Sequence, residues 1–271
     1  MSASLDSSSL ISFLFELADA ARAQTVPRWQ SAGEARNKGD GENFDPVTEA
    51  DVAAERAMRA LIESRYPDHG IEGEEMERRL GRSRYRWSLD PIDGTRSYIC
   101  GLPTWTTLVA LLEDDEPFAS LIDAPRLGER YVGCDGSARL VTQEGDTLIR
   151  TSDCQSLADA RLSTTDPAMF AGAARTAFDR VQEATRVTRY GHDAYAYARL
   201  AAGSIDLVIE SGLQPHDFQA LIPVVCGAGG VIGGWKGDTD CSSGRIIAAA
   251  SQALFDEAVG LLDCLRAEAE A

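Results

Sequence analysis

The sequence is poor in the residues that anchor thiol and histidine chemistry. It has three histidines, and its six cysteines (Cys100, Cys134, Cys154, Cys226, Cys241 and Cys264) are scattered, with no CxxC pair and no zinc-ligand spacing. Zinc-ribbon and dithiol sites are thereby excluded, and free thiols in a reducing cytosol are expected. Long apolar runs are also missing. The first basic residue is Arg22, and the run Leu10–Leu17 is interrupted by Glu16. That suits neither a secretory signal nor a membrane span, so the protein is expected in the cytoplasm, away from membranes. Positive charge is scarce: 26 Lys and Arg stand against 43 Asp and Glu, a formal charge of −17. Such a surface repels nucleic acid and anionic lipid. It still admits a small anion wherever bound divalent cations reverse the sign of one pocket.

What is present is the composition of an ordinary globular protein, 44% hydrophobic and 25% charged over 271 residues, long enough for one large domain or two packed halves. Leu10, Phe13, Leu14, Leu17, Ala18 and Ala21 recur at helical spacing and predict a first amphipathic helix. Asn37 to Phe44 is rich in Gly and Asp and reads as a loop. Thr48 with Asp51 forms a capping-box pattern for a second helix, which buries Ala54, Met58, Leu61 and Ile62 and ends at Tyr66-Pro67. Short β-rich runs follow at Trp87–Leu89, Thr106–Leu112, Pro117–Ile122 and Glu129–Gly133, predicting an antiparallel sheet. Beyond about residue 150, strands at Ala160–Thr164, Arg186–Tyr190, Ile205–Glu210 and Arg245–Ala250 alternate with helices at Pro167–Ala184, His192–Ala202, His216–Ala228 and Gln252–Glu268. The expectation is an α+β protein in two halves, 1–150 and 151–271. His69, after Pro67, is expected at the surface; Trp105 and Trp235 are expected to pack inside.

The sharpest motif is Asp90-Pro91-Ile92-Asp93-Gly94-Thr95 at the end of an apolar strand. On a straight strand, residues three apart face opposite sides. Bends at Pro91 and Gly94 could aim both carboxylates at one point and expose the Ile92 carbonyl as a third oxygen donor. Hard cations such as Mg²⁺ take oxygen ligands, and Gly94 lets a phosphate approach the backbone closely. Gly73-Glu74-Glu75 and Asp217 offer further carboxylates, although a helix cap accounts equally well for Asp217 by itself.

In this combination the chain resembles the inositol-monophosphatase-like phosphatases, part of the metal-dependent superfamily that includes fructose-1,6-bisphosphatase. The matching stretches are Asp45-Pro46-Val47-Thr48-Glu49-Ala50-Asp51, Gly73-Glu74-Glu75, Asp90–Thr95, Glu210 with Asp217, and Gly227-Ala228-Gly229-Gly230. The resemblance implies a layered α/β/α/β/α sandwich, two or three Mg²⁺ per site, and a homodimer. Glu74, Asp90 and the Ile92 carbonyl would hold one cation, and Asp90, Asp93 and Asp217 a second. Asp51 and Thr95 would form a dyad acting on the attacking water, and Gly94 and Thr95 amides would bind phosphate. Asp45 would sit on a mobile loop. The first half would carry most of the metal ligands and the second would complete the site.

Thr95–Ile99, Gly101–Trp105, Ile122–Pro125, Gly128–Tyr131 and Arg189–Tyr197 look most like the histidinol-phosphate phosphatase branch, with His192 and Ala194 departing from its usual residues. Asp193 and Glu210 would together face the organic part of a small phosphorylated metabolite, and a carboxylate pair suits an ammonium; Asp193 could instead cap the following helix. The alternatives are an inositol 1-phosphate or broad sugar-phosphate phosphatase and a regulatory binding protein of the same fold. A haloacid-dehalogenase-type enzyme fits less well, because its aspartates stand two apart rather than three. No cysteine has an arginine six residues later, which excludes a cysteine-dependent phosphatase.

Overall fold

The computed structural model describes residues 6–29, 36–37 and 46–262. Asp45, nearly all of the expected loop, Cys264 and the end of the expected last helix lie outside them. Helix α1 (Ser7–Arg28) starts where the Asp6 carboxylate accepts the Ser9 N–H at 2.9 Å, and it buries the six apolar residues read from its spacing. The short strands β1 (Arg36–Asn37) and β2 (Pro46–Val47) pair antiparallel. Helix α2 (Glu49–Arg65) begins with the predicted capping box: Thr48 Oγ1 accepts from Ala50 N, and Asp51 Oδ2 accepts from Thr48 N at 2.9 Å.

A seven-stranded sheet follows in sequential order: β3 (Gly70–Gly73), β4 (Tyr85–Asp93), β5 (Thr106–Glu113), β6 (Glu116–Ala124), β7 (Glu129–Cys134), β8 (Ser137–Thr142) and β9 (Gly145–Leu148). It is antiparallel except that β3 runs parallel to β4. The short α3 (Thr95–Ile99) leaves the end of β4. The second sheet orders β11 (Val187–Tyr190), β10 (Arg161–Thr164), β12 (Leu207–Glu210), β14 (Ile246–Ala249) and β13 (Val231–Gly234), with β10 parallel to both its neighbours. Its helices are α4 (Ala173–Ala184), α5 (Tyr195–Ala201), α6 (Pro215–Phe218), α7 (Leu221–Gly227) and α8 (Gln252–Leu262).

Strand periodicity sorts these elements into five layers, because alternate side chains leave opposite sheet faces. Val109 and Leu111 of β5 pack outward with Leu14 of α1 and Met58 of α2. Leu108 and Ala110 point inward to Tyr197 of α5, Val224 of α7, and Val208 and Ala248 of the second sheet. Leu207 and Ile247 on that sheet's far face meet Phe178 of α4 and Phe255 of α8. The result is the α/β/α/β/α sandwich. Gly133 permits the closest approach within it, since a Cβ there would lie 2.2 Å from the Pro223 carbonyl carbon.

Departures from the sequence reading have local causes. Gly172, at φ 55°, separates a 3-10 turn at Pro167–Met169 from α4, so the expected Pro167–Ala184 helix is two pieces. The expected His216–Ala228 helix is α6 followed by α7; Pro223 has no N–H to bond back to Gln219, so the helix restarts with Pro223 in its first turn. His69 is 7% exposed rather than at the surface: Tyr66 stacks on it and Trp87 Nε1 donates to its Nδ1 at 3.1 Å. Burial pushes its pKa down to about 4. Among the described residues no helix is long and apolar enough to cross a membrane.

Candidate active site

The site gathers at the end of β4, where a register irregularity between Asp90 and Asp93 breaks the ladder with β5. One carboxylate oxygen from each of Asp90, Asp93 and Asp217 lies within 4.8 Å of the others. Residues three apart on a strand reach one point because the chain bends between them. The Asp90 carboxylate accepts the Ile92 N–H at 3.0 Å, and the Thr107 hydroxyl holds the Pro91 carbonyl at 2.8 Å. Asp93 Oδ2 accepts the Ala194 N–H at 2.7 Å and the Thr106 hydroxyl at 3.2 Å, which ties the first sheet to the start of α5. Asp217 does both things its position suggested: Oδ2 accepts the Gln214 N–H at 2.7 Å as a capping box for α6, and it joins the cluster. His216 Nε2 stands 3.4 Å from Asp217 Oδ1.

Glu74 follows β3, with its N–H donated to the Leu89 carbonyl at 3.2 Å, and its carboxylate lies close enough to Asp90 to raise it. Asp51 is fully buried; Oδ2 takes both the N–H and the hydroxyl of Thr48, while Oδ1 has no hydrogen-bond partner. No hydrogen bond joins Asp51 to Thr95. The Thr95 hydroxyl donates instead to the Ile92 carbonyl at 3.1 Å. Gly94 adopts a left-handed conformation, φ 80°, and a Cβ there would meet Asp193 Oδ2 at 2.7 Å.

Asp193 lies beside this turn. It has φ 47°, α5 has no side-chain cap, and its carboxylate turns to the Ser97 hydroxyl at 3.1 Å. The helix-cap alternative is therefore not what the geometry shows. Glu210, 2% exposed, accepts the Thr165 N–H at 2.9 Å, the Thr165 hydroxyl at 2.5 Å and the Tyr197 hydroxyl at 3.2 Å. The supporting roles of Ser97, Thr106, Thr107, Thr165 and Tyr197 were not assigned from the sequence. The Asp93–Thr106 strand pair was the one signal available, and it needed the register of β4 against β5.

The electrostatics are those of crowded, buried negative charge. Burial pushes Asp90 well above the ordinary carboxylate range, and Glu74, Asp93 and Asp217 push it the same way. Asp93 is raised by burial and then by Asp193 and Asp217. Burial raises Asp51 to about 6 and Glu210 to about 7, each against opposing hydrogen bonds. Burial likewise raises Asp193, although the Ser97 bond and the Arg96 charge oppose it. Among the described residues no Arg or Lys pairs with Asp90 or Asp93. Carboxylates packed this closely need a cation, and an all-oxygen donor set fits a hard divalent ion such as Mg²⁺.

Comparison with known proteins identifies the family. Residues 6–266 match the inositol monophosphatase family. The Histidinol-phosphatase of Streptomyces coelicolor is 34% identical over 256 residues, covering 91% of this chain and 94% of its own. The Bifunctional phosphatase IMPL2, chloroplastic, of Arabidopsis thaliana is 47% identical over 200 residues, 73% of this chain; the match spans 57% of the plant protein's length. A solved inositol monophosphatase from Zymomonas mobilis superposes with a TM-score of 0.81 at 37% identity, covering 94% of this chain and 98% of that one. The chain belongs to the inositol monophosphatase family of metal-dependent phosphoric monoester hydrolases.

Proposed function

We propose that the protein hydrolyses L-histidinol phosphate to L-histidinol and phosphate. The observation that carries the substrate is Asp193, a half-buried carboxylate lodged between the Gly94 turn and Ser97, close enough to Glu210 for its charge to raise the Glu210 carboxyl. A neutral polyol adds no cation to the one Asp193 already feels from Arg96, whereas a substrate ammonium would make a direct charge-assisted hydrogen bond to it.

The carboxylates of Glu74, Asp90, Asp93 and Asp217, with the Ile92 carbonyl, would hold Mg²⁺. When bound, Mg²⁺ supplies positive charge for the phosphoryl oxygens and acidifies water. The Gly94 and Thr95 amides orient the phosphate. Asp51 presents its unpartnered Oδ1 as the acceptor for a proton of the attacking water. Thr95 Oγ1 gives its proton to the Ile92 carbonyl and keeps lone pairs to accept from that water. Asp51 and Thr95 thus act on the water from separate anchors rather than as a hydrogen-bonded pair. Asp193 and Glu210 select the organic part, Glu210 chiefly by fixing the wall through Thr165 and Tyr197.

The second reading is inositol 1-phosphate hydrolysis, favoured by the likeness to the Zymomonas mobilis inositol monophosphatase. Initial rates of phosphate release, with Mg²⁺ and with EDTA, separate the readings on a panel of histidinol phosphate, inositol 1-phosphate, fructose 1,6-bisphosphate and adenosine 3′,5′-bisphosphate. The reading predicts Mg²⁺-dependent release with histidinol phosphate best; release that persists in EDTA, or no turnover of any of the four, refutes it.

A further inference from the structure

Two buried, oppositely charged residues of α2 lie outside the carboxylate cluster. Glu55 is fully buried and Arg59 is 6% exposed, and Arg59 Nε donates to Glu55 Oε1 at 2.7 Å. With Asp51 they stand at i, i+4 and i+8 and share one face of the helix. Burying an ion pair costs several kcal/mol of desolvation per ion (roughly), which mutual attraction offsets only when further hydrogen bonds satisfy both groups. Here the further bonds go to one segment. Glu55 Oε2 accepts the Glu75 N–H at 2.7 Å, and Arg59 Nη2 donates to the Met76 carbonyl at 3.1 Å. Gly73 sits against the same carboxylate, and a Cβ there would lie 2.3 Å from Glu55 Oε1. Glu74 is bracketed by these contacts, and its own N–H is tied to Leu89, next to Asp90.

We propose that the Glu55–Arg59 pair is a positioning clamp that registers Glu74 against Asp90 and Asp51 for cation binding, an inference that rests on the metal role of Glu74. One rigid helix then carries Asp51 at its start and, one and two turns on, the groups that hold the Glu74 segment. Without the clamp, the segment that carries Glu74 loses both of its hydrogen bonds to α2, at Glu75 and Met76. Neither clamp residue touches phosphate or the reacting atoms; both act through Glu74.

The test is Mg²⁺ binding by calorimetry, together with the Mg²⁺-induced rise in melting temperature, on wild type, Glu55→Gln, Gly73→Ala, Asp206→Asn and Glu74→Gln. Glu55→Gln keeps the side chain's size but gives Arg59 an amide instead of a carboxylate. Gly73→Ala displaces the same carboxylate with no change of charge, and decides the matter if Glu55→Gln does not fold. Asp206→Asn weakens an unrelated ion pair, between exposed Arg161 and buried Asp206 at 2.6 Å, and controls for general destabilisation. The clamp predicts that Glu55→Gln and Gly73→Ala weaken Mg²⁺ binding by about tenfold, the lower end for loss of a ligand's supporting partner, and shrink the Mg²⁺-induced shift. Asp206→Asn should lower the melting temperature and leave Mg²⁺ affinity at the wild-type value. If both clamp variants lose stability yet shift Mg²⁺ affinity by less than about fivefold, the pair is a fold element and the inference fails. In that case Glu74→Gln tells which part was wrong: weakened binding there leaves the metal role of Glu74 standing, whereas unchanged binding removes that role too.

Discussion

Replacing Asp193 with asparagine probes substrate choice with the least disturbance to the fold. Asp193 occupies the left-handed region at φ 47°, which Asn tolerates and Ala adopts at a cost of about 1 kcal/mol or more. Asn also keeps an oxygen for the Ser97 hydroxyl, 3.1 Å away. What disappears is the negative charge offered to a substrate ammonium. Exchanging a charge-assisted hydrogen bond for a neutral one removes roughly 1–2 kcal/mol, about 5- to 30-fold in kcat/KM. The assay is phosphate release from histidinol phosphate and from p-nitrophenyl phosphate, at saturating Mg²⁺ and matched pH. The first substrate should lose this factor, and the second, with no ammonium, should change by less than about twofold. An equal loss on both would refute the reasoning. It would mean that Asp193 acts through the Gly94 turn, whose Cβ position lies 2.7 Å from Asp193 Oδ2.

Asp90→Asn should abolish nearly all turnover yet leave the melting temperature of the EDTA-treated protein unchanged or higher, because it removes one of several mutually repelling buried charges; calorimetry checks it. Mg²⁺ at about 100 times its dissociation constant should stabilise the protein by roughly 2.7 kcal/mol over the EDTA-treated form, read from denaturant midpoints. Gly94→Ala should depress every phosphate substrate together, since the new Cβ meets Asp193 and the left-handed backbone resists it. For His69 the folded pKa, about 4, lies below the usual 6.5. The unfolded chain therefore binds the extra proton between those values, and stability falls as pH drops from about 6.5 to 4, by up to about 3 kcal/mol. His69→Gln, which can still accept from Trp87, should flatten that slope when the two proteins are compared by urea unfolding.

How much of this was legible in the sequence depended on the distance over which each contact is made. The α1 face, the Thr48–Asp51 capping box and the bent Asp90–Thr95 turn are local patterns, and each appears in the structure where the spacing placed it. The four central strands were legible because alternation and turn residues bound them. The weak strands β3, β8, β9 and β13 went unread: each has only four to six residues, and none alternates between buried and exposed positions, β9 being exposed throughout. At the site, Asp217 could be named from its neighbours but not separated from a helix cap, and the structure gives it both tasks. The contacts that fix Asp93 and Glu210, from Ala194, Thr106, Thr165 and Tyr197, span 13 to 101 residues of sequence. Such pairings follow from sheet register and layer packing. His69 misled for the same reason: a turn residue after proline reads as exposed until Tyr66 and Trp87 close over it.

The central claim, a Mg²⁺-dependent phosphatase that selects an ammonium-bearing monoester through Asp193, is tested most directly by competition. Wild-type protein with saturating Mg²⁺ is given equal concentrations of histidinol phosphate and inositol 1-phosphate in one vessel, and the disappearance of each is followed by phosphorus NMR. The ratio of the two first-order decays is the ratio of kcat/KM, independent of enzyme concentration. The account predicts that histidinol phosphate disappears faster by about tenfold or more, the scale of one charged hydrogen bond. Equal decay rates, or earlier loss of inositol 1-phosphate, would contradict it.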